Sequence, residues 1–222
     1  MAPLVLQITD SDWQNMVQEL NNYRKARTWR DFTWHGSRIA VINFERFKEI
    51  EISDNDWASM KRELEIHRIR ASWDAFAARL SRMKLMDPQG MQTVAISEIE
   101  WQSMLEVLSH FVMQQNWANF ASHAHHMKLI RPDKFDSTVL RDKDWVGMKL
   151  ILDRSQTTKE WSQYAKQASY MKIIDPGRFA DISISDNEWF GMGSVLDEYR
   201  KKAYWGDFAA QASRIKTLQS PN

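Results

Sequence analysis

The chain has 222 residues, 43% of them hydrophobic, enough to bury a sizeable core in one or two domains. Thirty Lys and Arg stand against 29 Asp and Glu, which argues against a dedicated polyanion binder or a polybasic membrane anchor while leaving room for a local patch. The absence of cysteine excludes disulfides, thiolate chemistry and Cys-based zinc sites. The opening Met-Ala-Pro-Leu-Val-Leu-Gln lacks the basic start and apolar stretch of a signal peptide, and no apolar run approaches a membrane span, so a cytoplasmic protein is expected.

The first predicted helix opens at Thr9, with Asp12 three residues on. This is a capping box: the hydroxyl accepts a first-turn N–H and the acid accepts the cap's own N–H. Ile8 and Trp13 fit a hydrophobic staple, and Asp10 suits the positive end of the helix dipole. Trp13, Met16 and Leu20 share one face of a 3.6-residue period. A second helix carries Trp29, Phe32, Gly36 and Ile39, with the small residue allowing close helix approach. Phe47 follows in a linker, placed to plug back into the core.

The pattern then recurs every 44 residues. One Trp column reads 13, 57, 101, 145 and 189; a second reads 29, 73, 117, 161 and 205. Met holds 16, 60, 104, 148 and 192, and Leu holds 20, 64, 108, 152 and 196. Ser53, Ser97 and Ser185 repeat the cap, with Asp56, Glu100 and Glu188 three residues on. The fourth unit departs, with Arg141 in place of the hydroxyl, and its first helix is expected to start less firmly by about 1 kcal/mol. Lys84, Lys128, Lys172 and Lys216 suit the negative ends of the second helices, and Pro88, Pro132 and Pro176 follow those ends. Met91, Phe135 and Phe179 repeat the linker plug of Phe47.

One helix pair cannot bury two indoles alone, since each large aromatic brings roughly 150–250 Å² to cover. Stacking on the next unit supplies the cover, so the expected fold is an all-α, right-handed α-solenoid of about ten helices. It forms a single repeat domain over 1–222, with units 8–51, 52–95, 96–139, 140–183 and 184–222. A helix pair at this period resembles the α-solenoid class, near HEAT and armadillo units in length and longer than tetratricopeptide units. The resemblance covers residues 8–218 and is one of architecture; the tetratricopeptide pattern W-x2-L-G-x2-Y is absent. It implies a scaffold or binding protein.

Function is expected where columns vary while the frame stays fixed. On the second helix, one column reads His35, Arg79, His123, Gln167 and Gln211, and another reads Arg38, Arg82, His126, Tyr170 and Arg214. Gln163 lies in a third. Placed opposite the core, these side chains would form a ladder along an outer face, of types that recognise peptides, phosphates or bases. His123 and His126 could share a helix face, but no further ligand recurs at matching spacing, and no metal or cofactor is expected. No Gly-rich phosphate loop, G-x-S-x-G or H-E-x-x-H occurs, so an enzyme is not expected.

A protein or peptide partner is the first expectation. Modular single-stranded RNA binding is the alternative, weakened by the near-zero net charge, and a structural spacer or filament subunit is a third. The fifth unit keeps Trp189, Met192, Leu196, Trp205 and Phe208, so its free side would be apolar. That implies either self-association through the ends or a slice of a longer array.

Overall fold

The computed structural model describes residues 6–136 and 140–221; the linker stretch 137–139 and the first five residues lie outside it. The described residues form thirteen α-helices, one 3-10 turn and no strand. Each unit contributes an outer helix and an inner helix. The outer ones are α1 (Asp10–Ala26), α4 (Asp54–Ile69), α6 (Glu98–Met113), α9 (Asp142–Thr157) and α12 (Asp186–Lys201). The inner ones are α2 (Trp29–Ile42), α5 (Trp73–Met86), α7 (Trp117–Ile130), α10 (Trp161–Ile174) and α13 (Trp205–Gln219). Short helices α3 (Phe44–Phe47), α8 (Pro132–Asp136) and α11 (Pro176–Phe179), or the turn Gly90–Thr93, fill the linkers. The plugs Phe47, Met91, Phe135 and Phe179 are all buried.

Capping boxes start α1, α4, α6 and α12, with both reciprocal hydrogen bonds formed. In the fourth unit Arg141 offers no cap acceptor, yet α9 still starts at Asp142. Asp144 accepts from the Arg141 backbone N–H and from its guanidinium, Nε to Oδ2 at 2.9 Å. The acid half of the box therefore survives, and an ion pair replaces the other half.

The units stack as expected, each inner helix packing on the next, but the stack is not open. Helix α13 packs on α2 and α1 as every inner helix packs on its neighbour, closing five units into a ring. The expected free apolar end is therefore covered by the first unit of the same chain, and no bare end remains for end-to-end self-association. Five units closing a circle turn about 72° each, and nothing in the column pattern specifies that rotation.

Seam and ordinary interfaces share one polar contact. Near the end of its outer helix, Arg24 pairs with Asp56 of the next unit at 3.3 Å, and Arg68 with Glu100 at 2.6 Å. Arg200 pairs with Asp12 at 3.0 Å, joining the fifth unit to the first. Each arginine also donates to a backbone carbonyl just before the next unit: Glu51, Ala95 and Gln7. Where the arginine is missing, substitutes appear. Val112 holds the arginine's position in the third unit, and Asp144 of the fourth is held instead by Arg141. Gln156 holds that position in the fourth unit, where burial raises the pKa of Tyr164, the one phenol in a column of phenylalanines, and the buried Glu188 of the fifth lies close enough to raise it further.

Candidate functional site: the ring interior

Every inner helix is enclosed on both sides, by outer helices and by the ring axis. This overturns the expected placement of the polar columns. His35, Arg38, Arg79, His123, His126, Gln167, Tyr170 and Gln211 are all buried, and Gln163, Arg82 and Arg214 are half-buried. None forms a ladder on an outer solvated face. A solenoid drawn as an open array leaves one side of its inner helices to solvent, and ring closure removes that side.

The first column clamps the two helices of a unit together. His35 Nε2 lies 2.8 Å from the Met16 carbonyl and His123 Nε2 lies 3.0 Å from that of Met104. Gln167 and Gln211 donate to the equivalent Met148 and Met192 carbonyls at 3.3 and 3.2 Å. The second unit departs: Arg79 pairs with Glu63 at 2.7 Å and reaches Thr33 of the preceding unit. Four of these five residues thus satisfy a second lone pair of an outer-helix carbonyl, a structural role the sequence did not separate from a binding one.

The second column meets at the axis. Arg38 of the first unit lowers the phenol of Tyr170 in the fourth, and Arg82 of the second senses that same phenol. Side chains two units apart can approach only across the middle of a ring. Neighbour bonds knit the wall: Ser81 Oγ to His126 Nδ1 at 2.8 Å, and Arg214 Nη1 to Ser162 Oγ at 3.1 Å. Ser81 and His126 stand at like heights on their helices, so the inner helices run parallel and their positive N-terminal ends share one mouth.

The interior is divided chemically. Units five, one and two contribute Arg214, Arg38 and Arg82. Units three and four contribute an imidazole–phenol wall, with the His125 and Tyr170 rings 4.4 Å apart and tilted by 30°. Sequence reasoning does not single out His125 as a site residue, because it replaces the serine of its column and carries no periodic signal. Burial holds His125 and His126 well below the usual imidazole range, and the nearby Arg38 and Arg82 add to the shift, so both rings are neutral at pH 7. Burial pushes the Arg82 and Arg214 guanidiniums down to about 10, which leaves them charged at neutral pH. Burial alone would raise Tyr170, but Arg38, Lys166 and Arg214 outweigh it and hold the phenol below its ordinary value.

The chain matches no protein-family model, no curated protein and no solved structure. Its chemistry is therefore read from the ring itself.

The decisive feature is missing compensation. The Nε atoms of Arg38, Arg82 and Arg214 are buried without a hydrogen-bond partner, and among the described residues no carboxylate forms an ion pair with any of the three. Asp31, Asp74 and Asp207 lie at the starts of the inner helices, where Asp31 pairs with Arg30. Buried cations without counter-charges cost several kcal/mol each in an apolar setting, so a fold optimised only for stability would not gather three. The opposite mouth is different in kind: Val41, Leu85 and Leu129 line an apolar hollow of about 380 Å³ bordered by Ser81 and Lys84. No cluster of three or more His, Asp or Glu side chains suited to a metal ion occurs among the described residues, and none of their helices is long and apolar enough to cross a membrane.

Proposed function

We propose that this protein is a non-enzymatic, ring-shaped binding module whose recognition element is the interior arginine cluster, and that its ligand presents an anionic group there. The observation that carries this reading is the meeting of Arg38, Arg82 and Arg214 without an acid partner. The parallel N-terminal ends of the inner helices add favourable potential for an anion at the same mouth. The near-zero net charge of the chain does not oppose the reading, since the positive charge is local and desolvated. Burial of the polar columns removes the exposed, once-per-unit ladder on which modular RNA recognition would depend.

Isothermal titration of the full chain with pyrophosphate and with citrate at low ionic strength tests this. Saturable binding is expected, lost in an Arg38→Met, Arg214→Met double variant. That variant should also unfold at higher denaturant concentration than the parent, because two unpaired buried cations are gone. Absence of saturable heat with either anion would overturn the reading.

A second reading, a scaffold for a protein partner, is favoured by a separate observation. On outer helices α9 and α12, Val146, Leu150 and Phe190 are exposed by 57%, 59% and 67%, unusual for large apolar side chains. If that face meets a second copy of the chain, sedimentation equilibrium will show mass rising with concentration, and Phe190→Glu will abolish the rise.

A further inference from the structure

The three arginines are distributed unevenly about the ring. Arg214, Arg38 and Arg82 belong to consecutive units, and the seam between the fifth and first units falls between the first two. Every other pair of neighbouring units is joined by a covalent linker. The seam relies on the packing of α13 against α2 and α1 and on Arg200 gripping Asp12 and the Gln7 carbonyl. Arg214 and Arg38 hold equivalent positions on α13 and α2, which pack on each other across this interface; both Nε atoms are buried without a partner, and Nη1 of Arg214 is held by Ser162 of unit four. Two buried guanidiniums without an acid partner therefore stand on adjoining helices at the one junction that nothing covalent holds.

A tetrahedral oxyanion suits such a site better than a halide or a single carboxylate. It accepts N–H donors from several directions at once, and a dianion offsets more than one guanidinium. We propose that a phosphate-type dianion is held between Arg38, Arg82 and Arg214 and that, by bridging units five and one, it latches the ring seam. Without it, repulsion between Arg214 and Arg38 loosens that junction first. This rests on the anion-binding reading above and adds the class of anion and a consequence for ring closure.

The absence of cysteine makes the test direct. Gln18 and Ser194 are exposed equivalents on α1 and α12, across the seam, while Gln18 and Arg62 are the same positions across a covalently continuous junction. Spin labels on Gln18→Cys with Ser194→Cys should give a broad distance distribution at low salt that narrows when inorganic phosphate is added. The Gln18→Cys, Arg62→Cys pair should not change. Adding Arg214→Met to the seam pair should narrow its distribution without phosphate. Phosphoserine, run in parallel, separates a phosphate ester from the free ion as the source of the group, and latching by either supports the proposal. Calorimetric phosphate binding with an unchanged seam distribution would overturn the latch and leave the anion reading standing. No binding of phosphate, phosphoserine or pyrophosphate, with citrate still bound, would overturn the assigned anion class.

Discussion

Arg200 reaches back across 188 residues to Asp12, with Nε 3.0 Å from Oδ1 and Nη2 3.1 Å from Oδ2. The same arginine lies over Phe208 of its own unit, as Arg24 lies over Phe32 and Arg68 over Phe76. It is therefore placed by its own inner helix before it grips the next unit. Arg200→Gln should lower stability by about 1–3 kcal/mol, less than a fully buried pair because the guanidinium is one-third exposed and Thr9 still caps Asp12. Hydrogen exchange distinguishes the seam from an ordinary junction. Amides of α1 and α13 should exchange faster in Arg200→Gln, whereas Arg24→Gln, across a linked junction, should leave α1 and α13 protected.

The outer helices all end alike. Arg27, Ala71, Gln115, Lys159 and Ala203 occupy the left-handed region, with φ between 50° and 57°. The following N–H donates to the carbonyl five residues back, as from Ser72 to His67 at 2.9 Å and from Tyr204 to Tyr199 at 3.0 Å. This is the Schellman arrangement without the glycine that usually accompanies it. A Cβ in that conformation costs roughly 1–2 kcal/mol, partly offset by the greater freedom glycine gives the unfolded chain. Ala71→Gly and Ala203→Gly should each raise stability, by about 0.5–1 kcal/mol, readable as a higher urea midpoint with unchanged slope. A fall in either midpoint would count against the strain.

What the letters revealed and what they hid divides along physical lines. Helix starts, the Trp–Met–Leu stripe and the linker plugs were legible because each rests on local spacing or on a face that must be buried. The helix ends carried no glycine to mark them. Closure depends on the rotation from unit to unit, which small packing differences set and no column encodes. Its one trace was the intact apolar face of the fifth unit around Trp205, which fits a cover supplied by the first unit as well as one supplied by another molecule. The polar columns were found as positions but assigned to the wrong surface, since a polar side chain on an inner helix can satisfy a carbonyl, as His35 does, or face an enclosed axis, as Arg38 does.

Glycines at two helix crossings offer a test of how the second Trp column is used. A Cβ on Gly147 would lie 2.2 Å from Trp117 Cδ2, and one on Gly191 would lie 2.4 Å from Trp161 Cε2. The indole of one unit therefore rests on the bare backbone of the next unit's outer helix. Exposed helical Gly→Ala changes ordinarily stabilise by roughly 0.5–1 kcal/mol. Gly147→Ala and Gly191→Ala should instead destabilise by about 1–3 kcal/mol, because a rigid ring must move. Gly36→Ala meets most closely the end of the flexible Met86 side chain, Cε at 2.9 Å and Sδ at 3.1 Å, and should lie near neutrality. Thermal melts of the three variants should separate the first two from the third.

Acid should weaken the ring before any carboxylate titrates. Burial lowers His35 and His123, with the Met16 and Met104 carbonyls partly opposing it, and lowers His125 and His126 further, with the arginines assisting. As pH falls below about 6.5, the unfolded chain takes up these protons while the folded ring does not. Stability is therefore full above that value and declines through pH 6 and 5, by up to about 1.4 kcal/mol per pH unit for each histidine that stays neutral. Asp12 acts in a lower window: burial would raise it, but Arg200 and Thr9 hold it below its ordinary value, so its contribution is lost only as pH falls through the carboxylate range. Glutamine already does the clamp's work in units four and five, so His35→Gln with His123→Gln should keep the hydrogen bonds and remove two titrating groups. Urea midpoints at pH 7.5, 6.0 and 5.0 should fall less steeply in that variant than in the parent. Parallel slopes would mean that the clamp histidines do not carry the acid sensitivity.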